Sequence, residues 1–131
     1  MTNPSLYRDD SRVRHMLASI ERILEVAKGL VRDDLARYED KTEIILFELT
    51  ILGEAANNVS AEFVAKNPGV DWKGIAGVRH KIVHDYAEID FDTIWEILQV
   101  DIPDAYEKVK AVAATLPPEP TEPPSNLAEF L

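Results

Sequence analysis

Residues 42–59 read "TEIILFELTILGEAANNV", and the spacing of their apolar side chains decides the fold. Ile45, Leu49, Leu52, Ala56 and Val59 recur at threes and fours, the interval that places side chains on one face of an α-helix. Ile44, Phe47, Ile51 and Ala55 form a second stripe at the same interval. Together the two stripes take up most of the circumference, which predicts a central helix covered on two sides. Only a narrow polar edge remains, carrying Glu43, Thr50, Glu54, Asn57 and Asn58.

The flanking sequence supplies partners for that helix. Residues 5–30 carry Val13, Met16, Leu17, Ile20, Leu24, Ala27 and Val31 along one stripe, with Arg12, Arg14, Glu21, Arg22 and Glu25 opposite. This predicts a long amphipathic helix that bends or ends at Gly29. Residues 32–38 form a connection. Ser60 is placed to cap a short helix up to Lys66, and Asn67-Pro68-Gly69 stops it. Asp71 is the N-cap of a third helix that is expected to run to about Tyr86. Asp90 caps a further helix through Trp95 and Leu98, and Pro103 fits the first turn of a last one, 102–114. No segment shows convincing strand alternation and there are no internal repeats. The expectation is an all-α, four- to five-helix antiparallel bundle over residues 1–116. Residues 117–131 form a Pro- and Glu-rich tail, expected to be disordered.

The chain has 131 residues, which suits one domain. It has no cysteine, so thiolate chemistry and sulfur-liganded metal sites are excluded. The first ten residues lack the apolar run of a signal peptide, and no apolar stretch is long enough to span a bilayer. A cytoplasmic location without membrane contact is expected. The formal charge is −10, and the tail, with three glutamates and no cation, leaves −7 on the body. Such a surface does not bind nucleic acid indiscriminately. Any phosphate ligand must meet a focused basic patch.

One candidate patch exists. "RHKIVHDY", Arg79 to Tyr86, holds two of the three histidines beside an arginine and a lysine. On a regular helix Arg79, Val83 and Tyr86 share a face, His80 and His84 share the next, and Arg79 and His84 diverge by about 140°. A helix ending near His84, or a second subunit completing the site, removes that divergence. Three readings stay open on chemistry alone. Arg79 can grip phosphate oxygens while His84 exchanges a proton and Tyr86 stacks or hydrogen-bonds. His80 and His84, four apart, can share a metal with Asp85 or Glu88, although Lys81 stands where a zinc enzyme would place its glutamate. Or the stretch is an ordinary helix end with a histidine favoured by the dipole. Glu54 and Asn57 divide similarly, between packing within the bundle and orienting Arg79 or His84 in a cleft.

"GVRHKIVHDY" at 77–86 resembles the R-x4-H-x-Y motif of the HepT-like branch of HEPN domains, with Arg79, His84 and Tyr86 in the motif positions. The likeness continues in order. "ELTILGEAANNVS" at 48–60 resembles the family's central helix, with Gly53, Glu54 and Asn57 in place, and "IDFDTIWEILQVDIPDAYEKV" at 89–109 resembles its closing region. Coverage is roughly residues 8–112.

The resemblance implies a HEPN-type bundle acting as the toxin of a toxin–antitoxin pair. It implies a homodimer with a shared cleft and metal-independent RNA cleavage without a cofactor. Arg79 and His84 would be catalytic. Tyr86, His80 and Lys81 would bind substrate or, for Tyr86, receive AMP from a cognate minimal nucleotidyltransferase antitoxin. Glu54, Asn57 and Asp85 would support the site. The cleavage expected leaves a 2′,3′-cyclic phosphate after attack by the ribose 2′-hydroxyl. The alternative is a non-catalytic dimeric HEPN module that holds a nucleotide or the nucleotidyltransferase, a reading that the acidic body favours.

Overall fold

The computed structural model describes residues 4–85 and 88–118, and side chains for 8–82 and 88–118. Helix α1 spans Pro4–Ala27, α2 spans Asp34–Arg37 and α3 spans Glu39–Asn57. Gly29, at φ 80°, ends the first of these in the left-handed region that glycine adopts freely. α1 and α3 pack antiparallel. Arg22, toward the C-terminal end of α1, meets Glu48 at the middle of α3, and Asp9 and Arg12, earlier in α1, reach Ser60 and Asn58 beyond the end of α3. α1 also packs on α8 (Ile102–Ala114), with Arg14 donating to the carbonyl of Pro117 just past the end of α8.

The first stripe of the central helix is buried throughout: Ile45, Leu49, Leu52, Ala56 and Val59 join Val13, Met16, Ile20, Ile94, Ile102 and Val109 in one core. Ile23 belongs to that core as well, although the predicted α1 stripe passed it by, whereas Val31 lies beyond the helix and is exposed. The second stripe behaves differently. Phe47 is 62% exposed and Ile51 37%. The helix is therefore covered on one side, and its other apolar side faces outward.

Ser60 caps α4 (Ala61–Lys66) by accepting from the Phe63 amide. Asp9 builds on this cap. It is wholly buried, and its two carboxylate oxygens accept from the Ser60 amide (2.8 Å) and the Ser60 hydroxyl (2.6 Å). Burying a carboxylate is costly unless its oxygens find donors, so this pair fixes where α1 crosses the α3–α4 corner. Trp72 holds the following segment on the same corner, edge-on to Phe63 and donating to the Asn67 carbonyl at 2.8 Å.

The expected third helix is not continuous. It forms α5 (Trp72–Ala76), capped by Asp71, and α6 (Val78–Ile82), separated at Gly77. Glycine has little helix propensity, and it marks the break. After Ile82 the backbone leaves the helix and pairs with itself, β1 (Val83–Asp85) against β2 (Glu88–Ile89), an antiparallel ladder that closes with the Asp90 amide donating to the Ile82 carbonyl. This short ladder qualifies an otherwise all-α chain. Three β-branched residues flank the site (Ile82, Val83, Ile89) and favour extended backbone.

Asp90 caps α7 (Phe91–Glu96) through the Thr93 amide and hydroxyl. The two closing helices expected from the sequence are joined by a π-helical turn, Ile97–Asp101, in which the Ile102 amide reaches back five residues to Ile97. Pro103 follows directly and has no amide to offer the preceding turn, which accounts for the wider register there. Among the described residues no helix is long and apolar enough to cross a membrane.

Replacing Asp9 by alanine leaves the Ser60 donors facing a buried void. Loss of hydrogen bonds to a charged acceptor predicts a drop in unfolding free energy of about 2–3 kcal/mol. Urea denaturation measures it, and a change under about 0.5 kcal/mol would show that the corner is held without this pair.

Candidate active site

The site begins with a close helix contact. Gly53 lies on α3 where α5 crosses, and a Cβ there would sit 3.3 Å from the Ala76 carbonyl oxygen and 3.4 Å from that of Ile75. The absence of a side chain lets the two helices approach backbone to backbone. It also sets the end of α5, and hence the start of α6, directly against the polar edge of α3.

Between them lies an open cleft of about 350 Å³. α3 contributes Thr50, Gly53, Glu54 and Asn57, and the α5–α6 side contributes Ala76, Arg79 and His80. The polar edge foreseen for the central helix thus faces the arginine of the motif. The Glu54, Asn57, Arg79 and His80 side chains are exposed and make no hydrogen bond or ion pair with any described residue. Arg79 also borders a second hollow of about 220 Å³ with Leu46, Phe47, Thr50 and Ile82, which joins the cleft to the uncovered apolar stripe of α3.

The remaining predicted residues fall as follows. Lys81 is not in the Arg79 cleft. It borders a smaller cavity of about 70 Å³ on the far side of α6, with Asp71, Asp101 and Lys108. Two residues along a helix turn through about 200°, which carries Lys81 away from Arg79. The His84 and Asp85 backbones lie in β1, just past the end of α6. The divergence computed for an unbroken helix therefore does not apply to Arg79 and His84. Their side chains, and Tyr86 as a whole, lie outside the described residues. Thr50 was read only as part of the polar edge, yet it lines both hollows; its hydroxyl donates to the Leu46 carbonyl, leaving oxygen lone pairs toward the cleft. Among the described residues no group of three or more histidine, aspartate or glutamate side chains is placed to hold a metal ion.

The arrangement defines a class. It is a small helical protein with an arginine in the short helix α6, a histidine on the extended segment that follows, and a polar cleft against the central helix. The family described as ribonuclease HepT-like matches residues 16–112. The chain belongs to that family. Among its relatives is a protein named "Putative RNase" from Caldanaerobacter subterraneus subsp. tengcongensis, 34% identical over 100 residues, which cover 76% of this chain and 89% of the relative. A protein named "Probable ribonuclease HepT" from Thermococcus cleftensis is 28% identical over 85 residues, 65% of this chain and 77% of its own length. A Methanocaldococcus jannaschii protein, again named "Putative RNase", is 26% identical over 97 residues, 74% of this chain and 80% of the relative. No solved structure matches significantly.

Gly53→Ala tests the contact that builds the cleft. The added methyl must push α5 away by a few tenths of an ångström against backbone oxygens that cannot rotate aside. Overpacking of this kind costs about 1–3 kcal/mol. Thermal melts should show a lower midpoint, and amide exchange in α5 and α6 should rise more than in α1. A melt unchanged from wild type would mean that the two helices can separate freely.

Proposed function

We propose that the chain is a metal-independent endoribonuclease whose reaction centres on Arg79 and His84. The observation that carries this reading is the Arg79 side chain, unpaired within the described chain and facing a cleft beside the segment that holds His84. Family membership and the ribonuclease names of the relatives support it.

In this mechanism the His84 imidazole removes the proton from a ribose 2′-hydroxyl. The 2′-oxygen attacks the adjacent phosphorus, and the Arg79 guanidinium stabilises the charge that develops on the phosphoryl oxygens. The 5′-oxygen leaves and takes a proton from the imidazolium, so the products are a 2′,3′-cyclic phosphate and a 5′-hydroxyl. His80, on the same wall as Arg79, adds a second donor to phosphate.

The functional unit in this proposal is a homodimer. The Phe47–Ile51 stripe gives it a surface, since it is apolar, outward and adjacent to the Arg79 hollow. Two copies joined there would set their clefts side by side and double the local cations on an acidic body. We assign the chain the toxin role in a pair with a minimal nucleotidyltransferase antitoxin, on the strength of the family motif. AMP placed on Tyr86, two residues past His84, would bring negative charge into the phosphate site and repel RNA. Net charge −10 favours a second reading, in which the same dimer binds a nucleotide or the nucleotidyltransferase without cutting RNA.

Cleavage is expected to persist in EDTA, to fail on RNA carrying 2′-deoxyribose at the cut position, and to fall by about 10²–10⁴ in Arg79→Ala and His84→Ala. Rapid cutting of the deoxy substrate would refute the 2′-hydroxyl as nucleophile. No cutting of any RNA by the unmodified protein, combined with tight nucleotide binding, would establish the binding module instead.

Assembly is checked separately by light scattering. Wild type should be a dimer at micromolar concentration, and a Phe47→Glu, Ile51→Glu double variant should be a folded monomer. A wild-type mass of 14.7 kDa would overturn the dimer.

A further inference from the structure

The cleft holds a group that phosphate binding does not use. Glu54 is a carboxylate within the same walls as Arg79 and His80, and it neither pairs with them nor bonds to any described side chain. A carboxylate repels phosphate, so it is tolerated in a site for a polyanion only where the phosphate does not lie. Asn57 stands one turn further along α3 on the same edge, and its side-chain amide is also uncommitted. Residues three apart on a helix are neighbours. Together they offer two carboxylate acceptors beside an amide with one acceptor and two donors.

The geometry points to a nucleobase subsite in which Glu54 and Asn57 select guanine, placed on the α3 wall while the phosphate lies on the Arg79 wall. This rests on the reading of the cleft as an RNA site. The choice of base follows from donor patterns. Guanine carries N1–H and the 2-amino group side by side, a pair that a carboxylate accepts with both oxygens. Cytosine and adenine each show one exocyclic amino donor on that edge, and uracil shows one ring N–H. The Asn57 amide adds a donor for the guanine O6 or N7. The cleft volume of about 350 Å³ is in the range of sites for small ligands. Its lining contains no phenylalanine, tyrosine or tryptophan, and stacking on the His80 imidazole or the Arg79 guanidinium would be indifferent to the base, so discrimination falls to the α3 wall.

Isothermal titration of the full chain with the 3′-monophosphates of guanosine, inosine, adenosine, cytidine and uridine at one salt concentration tests the subsite without any turnover. Guanosine 3′-monophosphate should bind tightest, and inosine, which lacks only the 2-amino group, about tenfold more weakly. Glu54→Gln, nearly isosteric and exposed, should fold as wild type by circular dichroism and lose that difference, while its affinity for the uridine nucleotide holds. Cut sites on a randomised RNA should carry guanine at a fixed position in wild type and lose it in Glu54→Gln. Equal affinities across the five nucleotides, no binding of any of them, or a guanine preference that survives Glu54→Gln would overturn the subsite. The two readings fail separately. RNA cut without base preference removes the subsite and leaves the ribonuclease; guanine-selective binding without cutting removes the ribonuclease and leaves the subsite.

Discussion

The backbone contact between α3 and α5 at Gly53 is the constraint on which the site depends. α3 is the helix whose buried stripe organises the core, so its position is set by packing along α1. α5 has only five residues and would not be stable alone. It is held by the Asp71 cap at its start, by Trp72 wedged against Phe63, and by lying close on α3. α6 follows after one residue. Arg79 therefore inherits its place from a chain of contacts that runs from the core through a glycine, and the cleft is the gap left where α6 turns away from α3.

Much of this was legible because it depends on local chemistry. Ser60, Asp71 and Asp90 each accept an amide three residues ahead, a relation written in the spacing of the sequence itself. The polar edge of α3 was equally plain, and the structure puts Thr50, Glu54 and Asn57 from that edge into one wall. The separation of Lys81 from Arg79 was also available, since the turn between them follows from helix geometry alone. Grouping them by charge hid it.

Other features rest on long-range terms that no short window contains. Asp9 sits in a charged run, Arg8-Asp9-Asp10, that gives no sign which carboxylate will be buried; the answer depends on Ser60, 51 residues away. The π-helical turn before Pro103 reflects a compromise between a missing amide and two helices that must both stay packed on the core. The second stripe of α3 predicted a covered side, and in the single chain that side is open. The periodicity correctly reported that these residues are apolar. It carried no information about whether the cover would come from the same chain.

The charge distribution ties the site to its acidic surroundings. Several cations away from the cleft are committed: Arg22 to Glu48, Arg32 to Asp33 and Asp92, Lys66 to Glu62, and Lys108 to Asp104. The exposed ones among these pairs add little stability, yet together they neutralise positive charge that would otherwise spread over the surface. Arg79 and His80 have no such partner among the described residues. Arg79 thus presents an unpaired guanidinium to the cleft, beside the Glu54 carboxylate, and acts there at short range. The acidic surface attracts RNA weakly at distance, because few phosphates can be contacted and few counterions released. In the proposed RNA site, binding would then come from groups that meet one nucleotide closely, and discrimination between nucleotides would weigh more than in a broadly basic protein. The same acidity that argues against indiscriminate RNA binding is compatible with the proposed site, which reads a single phosphate and a single base at contact distance.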